Sequence, residues 1–376
     1  MLKAYKYRIF PNNVQKEQLA RYFGVVRTVY NIGLETKTNA YATHKKSVSK
    51  YDLINQLPEL KEEFDWIKEC PSQVLQHSLI NLDTAYGNFF KGKADFPKFK
   101  NKYKKQSITF PQGFQVDIEN SIISLPKLKQ IPVDYSRDFK GTVKRVTLSK
   151  TTTHKYFVSI LVDNKKELPK KKTIKDKTTI GIDFGIKDLA ITSDGEVFEN
   201  KHFLKSQEKR LRIVQRSLSR KKKGSKNREK QRLVVALVHE KIRNQRTDYL
   251  HKISTSLIRN NDTVVLEDLA VSNMVKNHNL AKAISEMGWG QLRTMFEYKA
   301  KWYGKNLLTI GRFEPSSKIC SKCGNIKQDL KLSERTYHCD KCGFEIDRDK
   351  NASINIKNFG LRTKPVSRQR EAVACA

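Results

Sequence analysis

Cys320 and Cys323 are separated by two residues, as are Cys339 and Cys342, and 15 residues lie between the two pairs. Each second cysteine is followed by a glycine, Gly324 and Gly343. Two such knuckles bring four thiolates within tetrahedral reach of one ion. Soft sulfur selects zinc or iron over magnesium, and the ribbon spacing, with a hairpin between the knuckles, favours zinc. Four protein ligands leave no open coordination position, so the ion is expected to be structural. Residues 315–345 must therefore fold as a small ribbon. Six cysteines in 376 residues would make a sparse disulfide framework. Cys70 and Cys375 have no partner at ligand spacing and read as ordinary free cysteines.

Charge says what surrounds that ribbon. The chain carries 74 Lys and Arg against 39 Asp and Glu, a formal net charge of +35. Solubility needs a magnitude of only about 2 to 8 for a small domain, so a polyanionic partner is indicated, with nucleic acid the leading candidate. No apolar run approaches the roughly 18 residues of a membrane helix, and the opening MLKAYKYRIF lacks a signal peptide's apolar segment. A cytoplasmic protein with no membrane partner is expected.

The pattern along the chain implies several folding units. Residues 1–10 alternate like a strand, and residues 12–94 read as helical. Within them Ser72–Phe90 places Leu75, Leu79, Leu82 and Tyr86 on one stripe. FPKFKNKYKK, residues 96–105, offers Lys98 and Lys100 to phosphates, although a solvated edge strand has the same composition. Residues 107–164 alternate as strands, at Phe114, Val116 and Ile118 and again from Tyr156 to Val162, and fit a small β-barrel or sheet. Lysine-rich residues 165–177 mark a boundary. Next come the strand TTIGIDFG, a short hairpin and two long helices with the turn at Gly224 and Ser225. Between Lys201 and Lys252 there are 18 basic and 4 acidic residues, a net +14. Lys221, Lys222, Lys223, Lys226 and Arg228 cluster at the turn as candidate nucleic-acid contacts. Leu211, Val214 and Leu218 are expected to pack against Leu233, Leu237, Tyr249 and Ile253. TVVLEDL, a buried strand after a helix, signals a parallel connection.

Three carboxylates stand out. Asp183 ends the strand IGID, Glu267 ends VVLE, and Asp347 or Asp349 opens the helix after the second knuckle. Asp268 reads more simply as a cap or loop residue. A buried carboxylate is costly without compensation, and a metal ion supplies it. Adjacent strands and a helix packed across them would gather the three groups at one edge. Such hard oxygen ligands suit Mg²⁺ or Mn²⁺, two of which can drive in-line displacement at a phosphodiester.

GIDFGIK, LSRKKKGSKNREKQ, HEKIRNQRTDYLHK, VLEDL, the CSKCG and CDKCG knuckles and DRDKNASINI together resemble TnpB. That family is encoded by bacterial and archaeal insertion sequences and is similar to the type V CRISPR effector nucleases. YKYRIFPN and PSQVLQHSLINLDTAYGNFF extend the resemblance from residue 1 to about residue 360. It implies a multidomain α/β plus β-barrel protein. A RuvC-like nuclease of RNase H fold (178–314 and 346–360) would be interrupted by the zinc ribbon (315–345). An N-terminal wedge β-barrel (1–10 and 95–170) would carry a helical recognition insert (11–94), with a C-terminal tail at 361–376. It further implies a guide RNA derived from the transposon end, and cleavage of double-stranded DNA beside a short flanking motif. The family's triad falls on Asp183, Glu267 and Asp349; the family pattern, not the spacing, selects Asp349 over Asp347. Tyr51, Gln73 and Gln76 are candidates for flanking-motif contacts, since Gln can pair bidentately with adenine; Gln is equally ordinary on a helix surface.

Two rival readings stand beside it. A tyrosine transposase of these elements needs a His-x-His pair, which the eight histidines do not form, and the acidic transposases usually order their residues Asp, Asp, Glu. A non-catalytic regulator of transposition would not require the intact triad.

Overall fold

The computed structural model describes residues 1–331 and 333–362, which form two compact units divided between Lys166 and Glu167. The division falls inside the lysine-rich stretch that composition marked as a boundary. Cys375 and nearly all of the expected tail lie outside the described residues. No described helix is long and apolar enough to cross a membrane.

The first unit opens with β1 (Leu2–Ile9), followed by α1 (Asn13–His44), α2 (Lys50–Asn55), α3 (Leu57–Glu63) and α4 (Ser72–Phe90). Asn12 and Gln15 cap α1 reciprocally, and the Gln15 amide donates to the carbonyls of Leu128 (3.0 Å) and Gln130 (2.7 Å). Six strands follow: β2 (Gln106–Phe110), β3 (Gln115–Asp117), β4 (Ile122–Leu125), β5 (Lys129–Asp134), β6 (Thr142–Lys150) and β7 (Tyr156–Asp163). They join β1 in one sheet of order β2-β6-β7-β1-β5-β4-β3.

That sheet is a half-barrel, in keeping with the small β-barrel or sheet expected from the alternation. β1 pairs with β7 along its whole length but with β5 only at Arg8 and Ile9, so β2 and β3 remain as edges. The helices supply what closure would have supplied. Leu19, Tyr22, Val26, Leu75, Leu79 and Leu82 share one core with Tyr7, Ile108, Phe110, Val158 and Ile160. Residues 96–105 form neither helix nor strand, and the 114–118 alternation shrinks to the three-residue β3.

The second unit contains β8 (Thr179–Asp183), β9 (Asp188–Thr192), β10 (Val197–Glu199), α5 (Phe203–Ser219), α6 (Lys226–Asn260), β11 (Thr263–Glu267), α7 (Val271–Met274), α8 (Ala281–Met287), α9 (Trp289–Tyr303), β12 (Asn306–Ile310), the hairpin β13 (Thr336–His338) and β14 (Glu345–Asp347), and α10 (Arg348–Arg362). Its main sheet runs β10-β9-β8-β11-β12, antiparallel through β8 and parallel from β8 to β12. Strands covered on both faces read as unbroken apolar runs. On β11, Val264 and Leu266 join the core formed with α6 and α9, while Val265 faces Ile356 of α10. The α10 face depends on two glycines. A Cβ on Gly181 would stand 2.2 Å from the Ser353 carbonyl oxygen, and one on Gly360 2.5 Å from a Val265 methyl. Backbone therefore rests directly on sheet.

α5 and α6 form the expected hairpin, but on a different seam. Leu211 meets Val238 and Ile242, with Val214 and Val235 beside them, whereas Leu237 points outward at 43% exposure. Ile253 and Tyr249 pack into the sheet core instead. The 35-residue α6 packs its first half against α5 and its second half into the sheet core, so the expected residues divide between two cores along its length.

Candidate active site

Asp183 and Glu267 are the last residues of neighbouring parallel strands, and the pairing of Leu266 with Ile182 leaves the two carboxylates side by side. α10 lies on β8 through Gly181 and brings Asp349, in its first turn, to the same end. Burial, then the nearby charges of Glu267 and Asp349, push the Asp183 carboxyl up to about 8, against a smaller opposing pull from Arg348. Burial also raises Glu267, while Ser316 Oγ donates to its Oε1 at 2.7 Å and favours the ionised form. The Asp349 carboxylate accepts from Arg348 at 3.2 and 3.3 Å and faces Arg335 at 3.7 Å.

Asp347 separates from its rival here. Its Oδ1 accepts from the backbone N–H groups of Asp349 and Lys350 at 3.0 and 2.9 Å, the work of a helix cap. Asp268 holds Arg293 (2.8 Å) and Arg312 (3.1 Å).

A cluster of hard oxygen donors whose shared negative charge resists ionisation is chemically matched to a divalent cation of the Mg²⁺ class. Among the described residues, only the four cysteines place three or more His, Cys, Asp or Glu ligand atoms all within 4.8 Å of one another. The carboxylates thus frame a wider space than a single closed cage.

In the ribbon, Sγ atoms of Cys320 and Cys342 are 3.7 Å apart and those of Cys323 and Cys339 3.5 Å. A tetrahedron of thiolates about 2.3 Å from zinc has edges of about 3.8 Å, so the cluster fits that ion. Each knuckle closes by matching bonds, Gly324 N–H to Cys320 O and Gly343 N–H to Cys339 O, both 2.9 Å. Both glycines have positive φ. Cys70 is buried and unpaired by any disulfide, as expected.

The candidate nucleic-acid contacts scatter by role. Tyr51 on α2 is 66% exposed, and Gln73 and Gln76 are half-buried on α4. Lys98 pairs with Asp95 at 3.5 Å. Lys100 is an exposed residue whose ammonium turns in over the Tyr30 ring at 3.6 Å, where desolvation lowers it to about 8. Lys222, Lys223 and Lys226 are exposed and Lys221 half-buried. Arg228 instead closes the α5–α6 turn, donating to the carbonyls of Leu218 (2.8 Å) and Lys221 (3.0 Å). Sequence reasoning missed Ser316, Arg348, Asn351 and Asn355. Two asparagines four apart inside an otherwise apolar helix face were the available signal for the last pair.

Three family models match the chain. One described as "Probable transposase" (OrfB_IS605) covers residues 158–278. "Cas12f1-like, TNB domain" covers 289–356, and "Helix-turn-helix domain" covers 1–46, where the structure has one strand and one 32-residue helix. A Streptomyces pristinaespiralis protein named "Putative RNA-guided DNA endonuclease" is 40% identical over 364 residues, 96% of this chain and 89% of that protein. Its namesake InsQ from Escherichia coli (strain K12) is 34% identical over 376 residues, 96% and 92% of the two chains. The fold is shared with Cas12f1 in the "Cas12f1-sgRNA-target DNA complex", at TM-score 0.60 and 13% identity over 95% of this chain and 99% of that one.

Proposed function

The chain belongs to the TnpB family of RNA-guided nucleases of insertion sequences, and from that premise we propose that Asp183, Glu267 and Asp349 form its DNA-cleaving centre. The observation that carries this reading is the register that ends β8 and β11 with Asp183 beside Glu267, where burial and the charges of Glu267 and Asp349 push the Asp183 carboxyl up. Asp183 and Glu267 stand side by side at the ends of two parallel strands with no salt bridge to either among the described residues, and Asp349, paired with Arg348 and Arg335, adds its charge from the first turn of α10. The strand order β10-β9-β8-β11-β12 supports a RuvC-like RNase H fold.

Two Mg²⁺ or Mn²⁺ ions, when bound, supply water activation and stabilisation of the leaving oxygen. The chain's own contribution is to hold ionised carboxylates in a fixed frame. Asp183 sits centrally and must give up its proton on loading. Glu267 is oriented through Ser316, and Asp349 is balanced by Arg348 and Arg335. Zinc in the cysteine cluster is structural.

Base pairing with a guide RNA from the transposon end reads the target, while the protein reads heteroduplex shape and a short flanking duplex motif. Tyr51, Gln73 and Gln76 are the proposed motif contacts, and Lys222, Lys223 and Lys226 the phosphate contacts. The protein acts on DNA in the prokaryotic cytoplasm. The test is to sequence RNA that co-purifies with the protein, then present a matching target flanked by randomised DNA with Mg²⁺. Cut products sharing one flanking motif are expected; protein loaded with RNA that leaves every flank intact overturns the reading.

A further inference from the structure

We propose that Ser316 is a positioning residue for the Glu267 carboxylate, held in place jointly by the cysteine ribbon and α10. The proposal rests on the reading of Glu267 as a ligand of the catalytic ions. Ser316 is 7% exposed and its hydroxyl reaches Glu267 Oε1 at 2.7 Å. It is itself fixed from behind. The Asn355 amide donates to the carbonyls of Ser316 (2.8 Å) and Ile319 (2.6 Å). The Asn351 amide donates to the same Ile319 carbonyl at 2.7 Å, and its oxygen accepts from the Ser321 N–H at 3.0 Å, one residue beyond the ligand Cys320. Asn351 and Asn355 are 0% and 3% exposed, so these bonds do not exchange freely with water.

An unbroken hydrogen-bonded run thus leads from the first knuckle, through the helix that carries Asp349, to Glu267. A glutamate at a strand end has three free side-chain torsions, and the contact on Oε1 restricts them to conformers that keep it. The ribbon thereby reaches the nuclease centre without contributing a ligand to it. Partners of metal-binding side chains typically govern metal affinity by about 10- to 100-fold.

The experiment measures Mn²⁺ binding by electron paramagnetic resonance on the RNA-loaded full chain, together with zinc content and the Mg²⁺ dependence of cleavage. Ser316→Thr and Ser316→Val are nearly isosteric and differ in the hydroxyl. The valine variant is expected to bind Mn²⁺ about 10- to 100-fold more weakly than the threonine variant, with one zinc per chain and RNA retained in both. Equal Mn²⁺ affinity in the two overturns the proposal, as does a valine defect that tracks loss of zinc. Mn²⁺ binding as tight in the Asp183→Ala chain as in the unmodified chain would instead sink the underlying reading of the site.

Discussion

The cysteine cluster and the carboxylate cluster are assembled in opposite ways. The four thiolates come from one short ribbon whose two knuckles repeat the same backbone bonds, and their sulfurs converge to within 4.8 Å. The three carboxylates come from two strands and a helix distant in sequence, and they meet only because a sheet register and a helix–strand contact are both correct. One site is a local property of the chain and the other a property of the whole second unit. A closed set of ligands suits an ion that stays; a wider frame of mutually repelling acids suits ions that arrive with substrate.

The sharpest test of that contrast crosses the two sites. Asp183→Ala is expected to abolish cleavage while zinc content and RNA binding stay unchanged, and residual cutting at the unmodified rate would refute the triad. Cys339→Ser should release the zinc and lower the thermal midpoint, since structural zinc contributes folding energy directly. Unaltered metal content by mass spectrometry would refute the ribbon.

A smaller effect is expected from Gly181→Ala. The added methyl meets the Ser353 carbonyl, so α10 must shift, at a cost of about 1 to 3 kcal/mol. Cleavage should fall sharply with zinc retained. If activity is untouched, the helix contact is not what sets the third carboxylate. The last effect concerns pH. Asp183 titrates near 8 when folded against an ordinary 3.8, so between those values the folded chain holds a proton that the unfolded chain has lost. Stability without Mg²⁺ should therefore fall as pH rises from about 4 to about 8, and Asp183→Asn should flatten that slope in thermal melts.

What could be read in the sequence follows the same division. The knuckles and the strands ending in Asp183 and Glu267 were legible because local spacing and apolar runs encode them. The choice between Asp347 and Asp349 was not, because two acids two residues apart differ only in where the helix begins; the structure shows Asp347 engaged as the cap of that helix. Lys100 and Arg228 show why a count of charge does not by itself locate ligand contacts. A cation suited to phosphate is equally suited to an aromatic face or to the end of its own helix. Alternation likewise gives the strands of the half-barrel, while what covers its inner face, here α1 and α4, is set by packing between distant segments. Ser316 carried no signal at all, since a serine before a knuckle looks like any loop residue.

The delivery of the third carboxylate by α10 also bears on how such a gene decays. Both strand-end acids and the whole basic hairpin precede that helix in the chain. A stop codon or frameshift between the end of α6 and Asp349 leaves a polypeptide that keeps the basic hairpin but lacks the third of the proposed site carboxylates. On the proposed reading, mutational erosion that reaches Asp349 from the 3′ end removes cutting before it strips away the basic charge of the hairpin.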